Sequence, residues 1–223
     1  MTEKIRVGII DDDKTKITQI LTNVRSQVNG ASKEVIEQYS EYELIPIELT
    51  IQSDLDAILD DIDEKKINAL MIDYQLTSYE PHVKYTGVTI AERTEQKYLG
   101  FPTFILTSFE SDLFKHEVFD AYKVFDFERY MNDEQERIEL NKKIIEQYIK
   151  RKKEIEKKRN EFNELEKLKG SNQEVDDRLI ELDDFLERSI NGDNAISKNK
   201  KKEILDKRFD EILKLLHKVV KEQ

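Results

Sequence analysis

The sequence predicts an α/β domain built on a doubly wound, five-stranded parallel sheet, followed by an all-α, coiled-coil-like half. Three observations predict it. Short apolar runs, Ile5 to Ile10, Asn68 to Ile72 and Phe101 to Leu106, stop on polar groups: Asp11-Asp12-Asp13, Asp73 and Thr107-Ser108. These runs alternate with segments of helical apolar spacing, the pattern of βα units with parallel strands. Beyond Asn132 the chain turns to Lys, Glu, Leu and Ile, and Pro46, Pro81 and Pro102 all lie before it. Charge shifts at the same place. Residues 1–132 hold 25 acidic and 14 basic side chains and residues 133–223 hold 23 of each, so the domains are expected to be 1–132 and 133–223.

Strand one is Ile5 to Ile10. Asp13 is placed to cap the helix that follows, with Ile17, Ile20, Leu21, Val24 and Val28 as its apolar face and Asn29-Gly30 as its end. Residues 31 to 44 fit no single element, though Val35, Ile36 and Tyr39 are spaced for a helical turn or two. Strand two is expected at Ile45 to Ile51, with Pro46 near its start. A helix over Asp54 to Lys65 then carries Leu55, Ile58, Leu59 and Ile62, and strand three is Ile67 to Ile72. A polar loop, Tyr74 to Thr86, is closed by Gly87. A helix over Val88 to Leu99 stops at Gly100, and strand four is Thr103 to Leu106. A helix over Ser111 to Tyr122 and a fifth strand at Val124 to Phe127 complete the domain.

Right-handed crossovers wind such strands into one sheet, and ligands bind beyond their carboxyl ends. Asp11, Asp12, Asp73 and Thr107 should meet there. Several carboxylates at one sheet edge repel one another unless a hard divalent cation sits between them, so the pattern points to phosphate chemistry assisted by Mg²⁺. Taken alone, Asp11 to Asp13 is a helix cap and turn, but that reading does not explain three polar stops in order. Asp11 and Asp13 also form an Asp-x-Asp pair, as in hydrolytic phosphatases on this type of fold, which would leave Asp73 redundant.

Over roughly Lys4 to Met131 the sequence resembles the receiver domain of bacterial two-component response regulators, a flavodoxin-like fold. The acidic pair Asp11-Asp12, the lone Asp73 and Thr107-Ser108 carry the resemblance, in that order along the chain. It implies that Asp73 is the phosphoacceptor and that Asp11, Asp12, Asp73 and the backbone carbonyl of Gln75 hold Mg²⁺. It implies that Thr107 hydrogen-bonds the phosphoryl group once formed, and that a histidine kinase or phosphotransfer protein is the donor. Receivers carry a lysine, usually followed by proline, at the end of strand five. Tyr122 to Tyr130 has no Lys-Pro: Lys123 lies at the wrong end of the strand, and Arg129 offers a planar fork instead of an ammonium. The loop after Asp73, which contains His82, and the stretch 29–44 are longer than is usual in receivers and are candidate partner surfaces.

The chain has no cysteine, hence no disulfide framework and no thiol chemistry. No apolar stretch reaches ~18 residues, so no membrane-spanning helix is expected. Met1 to Lys4 leads straight into a strand without a signal peptide, and the expected location is the cytoplasm.

In the second half, a helix over Asp133 to Lys169 would be about 55 Å long. Tyr148, Ile155 and Phe162 stand one heptad apart on it, with Lys152 and Arg159 interrupting the companion row. Gly170-Ser171-Asn172 is a turn, and Ser171 with Glu174 makes a capping-box pattern. A second helix carries Val175, Leu179, Leu182 and Leu186. After the turn Asn191 to Asn194, a third carries Leu205, Phe209, Ile212, Leu216 and Val219. Apolar stripes on helices joined by short turns imply antiparallel packing. The stripes are narrow, so a second copy of the chain is expected to complete the core as a homodimer. The basic clusters Lys150–Lys153, Lys157–Arg159 and Lys198–Lys202 read as solvated faces balanced by Glu154 and Glu156, not as a nucleic-acid surface.

The leading expectation is a phosphorylated regulator, not an enzyme, acting through protein–protein contacts of its helical half. One alternative is a pseudo-receiver scaffold that is not phosphorylated, prompted by the missing lysine. Another is an antiterminator-like RNA-binding regulator, against which stands the near absence of alanine in the helical half, where only Ala195 occurs.

Overall fold

The computed structural model describes residues 2–77, 80, 83–108 and 120–191, with the side chains of 190 and 191 left aside. Most of the expected helix Ser111 to Tyr122, His82, the turn after Asn191, the third helix of the second half and Lys198–Lys202 lie outside the described residues.

Five parallel strands form one sheet in the order β2-β1-β3-β4-β5: β1 (Glu3–Ile10), β2 (Tyr42–Glu48), β3 (Ala69–Ile72), β4 (Thr103–Thr107) and β5 (Val124–Asp126). This is the doubly wound arrangement expected, with β1 and β3 at the point where the strand order reverses. β3 and β4 are buried along their whole length, as central strands covered on both faces must be. Pro46 lies inside β2, not near its start, because β2 begins at Tyr42 and not at Ile45. The edge position explains its tolerance, since an outward-facing position needs no N–H.

Between the strands lie α1 (Lys14–Arg25), α2 (Lys33–Tyr39), α3 (Leu55–Glu64) and α4 (Gly87–Lys97). Asp13 caps α1 as expected, its Oδ1 accepting from the Thr15 and Lys16 amides. The ambiguous stretch 31–44 resolves into α2, capped by Ser32, and the start of β2. The fifth strand stops at Asp126 because Asp126 caps a short helix, α5 (Phe127–Asn132), by accepting from the Arg129 amide at 2.8 Å.

A long helix, α6 (Glu134–Glu166), and a second, α7 (Gln173–Asn191), follow. The chain forms two compact units, one of Met1–Gln96 and Gly100–Lys152, the other of Lys97–Leu99 and the chain from Lys153. Composition changes at Asn132, but the packing of the first unit continues twenty residues further, to Lys152. Leu140, Ile144 and Ile145 join one core with Ile5, Val7 and Ile9 of β1, Ile20 and Val24 of α1, and Tyr130. Asn141, wholly buried, fastens α6 to α1 by donating to the carbonyls of Asn23 (3.0 Å) and Gln27 (2.7 Å) and accepting from the Tyr130 hydroxyl (3.1 Å). The Tyr148 hydroxyl and the Lys152 ammonium both bond Glu3 at 2.7 Å, which holds the Glu3 carboxyl below its usual range.

In the second unit, Arg178 of α7 pairs with Glu161 of α6 at 2.7 Å, and Lys158 lies over the Phe185 ring, so the two helices run as an antiparallel hairpin. The α7 cap is Asn172, which accepts from the Val175 amide at 2.9 Å; the Ser171 capping box is not the one that forms. Among the described residues, no helix is long and apolar enough to cross a membrane.

Candidate functional site

Asp11 and Asp12 directly follow β1, and Asp73 directly follows β3. The Asp73 amide donates to the Ile10 carbonyl at 2.8 Å, which fixes the two strand ends side by side. Asp11, Asp12 and Asp73 each offer a carboxylate oxygen within 4.8 Å of the other two. Asp11 and Asp73 are each only 4% exposed. Asp11 Oδ1 accepts from the Asp13 amide at 2.8 Å, while Asp11 Oδ2 and Asp73 Oδ1 are buried with no hydrogen-bond partner.

An unsatisfied buried carboxylate oxygen is costly, and two on the carboxylates of one cluster fit a hard divalent cation that prefers oxygen ligands. The Asp13 carboxylate, by contrast, accepts from the Thr15 and Lys16 amides of α1, and the acidic cluster is made by Asp11, Asp12 and Asp73. Thr107, at the end of β4, is wholly buried, and β4 is the neighbour of β3. Gln75 stands two residues beyond Asp73 and is half-buried.

Neither strand-five candidate for a cation turns to the carboxylates. Lys123 precedes β5 and pairs with Glu95 at 2.6 Å, and Arg129, on α5, pairs with Glu136. Among the described residues, the cation brought to the cluster is Lys16, from the first turn of α1, with its Nζ 3.8 Å from Asp73 Oδ2. Sequence reasoning missed it. Asn23 and Gln27 follow it at helical spacing and face α5, α6 and β2, but that spacing alone does not place Lys16 at the strand ends.

Burial is the largest influence on both enclosed carboxyls. It raises Asp73 to about 7, with the Asp11 charge adding to the rise and Lys16 opposing it. It raises Asp11 to about 6, partly offset by the Asp13 amide. A carboxyl whose pKa is higher folded than unfolded holds its proton longer in the folded state. Stability therefore falls as pH climbs from about 4 to about 7, at up to ~1.4 kcal/mol per pH unit for each group still protonated. The metal-free protein is expected to melt at a higher temperature at pH 5 than at pH 8. Mg²⁺ should raise the melting temperature more at pH 8, where the carboxylates are ionised. Equal Mg²⁺ shifts at the two pH values would remove this cluster as the ion site.

No protein-family model and no curated protein matches the chain. Among solved structures, it is similar to the anti-anti-sigma factor PhyR from Bartonella quintana, at 15% identity over 70% of this chain, with a TM-score of 0.40. The match spans 52% of that protein, about half its length. A fusion carrying the trimeric coiled coil of yeast Spc42 matches at 16% identity over 81% of this chain and 92% of its own, again with a TM-score of 0.40. The fold assignment rests on the strand order and the strand ends, not on these likenesses. By both, the first unit is a receiver-like α/β domain.

Proposed function

We propose that the chain is a cytoplasmic signalling regulator whose Asp73 accepts a phosphoryl group from a histidine kinase or phosphotransfer protein. Asp11, Asp12, Asp73 and the Gln75 carbonyl would hold Mg²⁺, and the helical half would carry the response to a protein target. The observation that supports this most is the pair of partnerless buried oxygens, one on Asp11 and one on Asp73, in a single carboxylate cluster at the strand ends.

A carboxylate attacks phosphorus only when the negative charge on both is offset. Mg²⁺, when bound, supplies positive charge at the phosphoryl oxygens. The chain does the rest. The hydrogen bond from the Asp73 amide to the Ile10 carbonyl fixes the nucleophile, burial excludes bulk water, and the buried Thr107 hydroxyl would donate to a phosphoryl oxygen. Storing a phosphoryl group on a carboxylate in this way makes a regulator and not a turnover enzyme.

Intact mass after incubation with Mg²⁺ and acetyl phosphate tests the reading. Wild type should gain one phosphoryl mass and Asp73→Asn none. Equal labelling of both would assign another acceptor, and an unlabelled wild type would favour the non-phosphorylated scaffold.

The output would include pairing with a second copy through the hairpin. Ile155, Phe162 and Leu165 of α6 remain partly exposed, and Leu168 is 53% exposed. In light scattering, a chain ending at Lys152 should then be a monomer and the full chain a dimer. A full chain that stays monomeric would remove the pairing.

A further inference from the structure

We propose that Lys16 is the cation that meets the phosphoryl group on Asp73, in the role that neither Lys123 nor Arg129 fills. The inference rests on the phosphoacceptor reading of Asp73 and deepens it.

Geometry points to Lys16 in two independent ways. Its ammonium lies 3.8 Å from Asp73 Oδ2, with the side chain only 21% exposed. It also sits 5.0 Å from the centre of the Phe127 ring. Phe127 directly follows β5, and β5 pairs with β4 so that Asp126 stands beside Thr107. The site-facing end of strand five therefore presents an aromatic face, and the positive charge over that face arrives from α1. A cation held over a ring and beside a carboxylate is positioned by both.

The helix that delivers Lys16 is itself fixed. Its Asp13 cap takes the Lys16 amide, and Asn141 of α6 binds the Asn23 carbonyl about two turns further along. The charges also balance: three carboxylates, one divalent cation and one ammonium sum to zero. During transfer, an Asp73 carboxylate oxygen bonds to phosphorus while the phosphorus–oxygen bond of acetyl phosphate breaks, and acetate leaves with the electron pair. Charge builds on the phosphoryl oxygens. The ammonium, with three N–H donors and rotational freedom, can follow them from its place beside Asp73.

The test uses the full chain with Mg²⁺ and acetyl phosphate, reading the labelling rate by intact mass for wild type, Lys16→Met, Lys16→Arg, Lys123→Met and Asp73→Asn. Lys16→Met should slow labelling by about 100-fold or more, as for loss of one charge-stabilising donor. Lys16→Arg should recover part of the rate. Lys123→Met should stay within about fivefold of wild type, as for loss of a half-exposed ion pair. Mg²⁺ affinity, read by tyrosine fluorescence, separates this role from a structural one. Removing a positive charge beside the carboxylates should make Lys16→Met bind Mg²⁺ more tightly while it reacts more slowly. Should Lys16→Met not fold, Lys16→Gln gives the same reading. Labelling of Lys16→Met at the wild-type rate overturns the inference alone, as does a slow Lys16→Met that also binds Mg²⁺ more weakly. A wild type that takes no phosphoryl group, or takes it equally with Asp73→Asn, overturns the phosphoacceptor reading and this inference with it.

Discussion

A chain cut after Asn132 is expected not to fold, while a chain cut after Lys152 should show a single cooperative melt. The cut after Asn132 removes Ile138, Leu140, Ile144 and Ile145, all buried, three of them within the core that contains β1 and α1. Each is worth about 1.5–3 kcal/mol of burial, so together they approach the whole stability of a domain, ~5–15 kcal/mol. The cut also uncovers Tyr130, which is 1% exposed, and deletes Asn141, the partner of its hydroxyl and of the Asn23 and Gln27 carbonyls. Ending at Lys152 keeps these contacts and the bonds from Tyr148 and Lys152 to Glu3. Circular dichroism melts of the two chains, with near-ultraviolet signals for tertiary packing, make the comparison. A chain 1–132 melting cooperatively within a few degrees of 1–152 would show that α6 is not part of this core.

That expectation differs from a reading by composition, and the reason is physical. Lys and Glu content changes where the strands end, so it marks a change of secondary structure. It does not say what a helix packs against. Tyr148 appears in the sequence as part of a sparse seam for a partner, but in the structure it and Ile145 lie on the chain's own sheet domain, and the polar Asn141 inside that stripe hides its continuity. β1, β3 and three acidic side chains were legible because an apolar run that stops on a carboxylate is a local signal. α2 was legible only as a helical turn or two through Val35, Ile36 and Tyr39, and α5 was not legible; they are helices of seven and six residues whose beginnings depend on Ser32 and Asp126 as caps. Lys16 was illegible for another reason. It belongs to the site through the packing of α1 against α5, and no spacing within the first strand and turn predicts that a lysine in the first helical turn reaches an aspartate beyond strand three.

The backbone beside Asp73 sets the last expectation, and Gly87→Ala should abolish labelling of Asp73 and destabilise the fold. A methyl group at Gly87 would lie 2.0 Å from the Asp73 carbonyl oxygen and 3.0 Å from Ile72 Cγ2. The first of these atoms is backbone and cannot rotate aside. The Asp73-Tyr74 segment is clamped on both sides, by the Asp73 amide on the Ile10 carbonyl (2.8 Å) and by the Tyr74 carbonyl under the Gly87 amide (2.9 Å). Relief must therefore break one clamp, either shifting the Asp73 carboxylate out of its cluster or displacing the start of α4. Overpacking of this kind costs typically ~1–3 kcal/mol or more where the neighbours cannot yield. Gly100→Ala is the matched comparison. Gly100 has a φ of +64° and nothing within 4 Å of an added methyl, so only left-handed strain of about 1 kcal/mol is added, far from the carboxylates. Mg²⁺ titration and acetyl phosphate labelling of both variants separate the effects. Gly100→Ala should label at nearly the wild-type rate, and Gly87→Ala should lose both Mg²⁺ response and labelling. A Gly87→Ala chain that keeps both would mean that the loop after β3 yields without moving Asp73, and that the close approach of α4 does not hold the site.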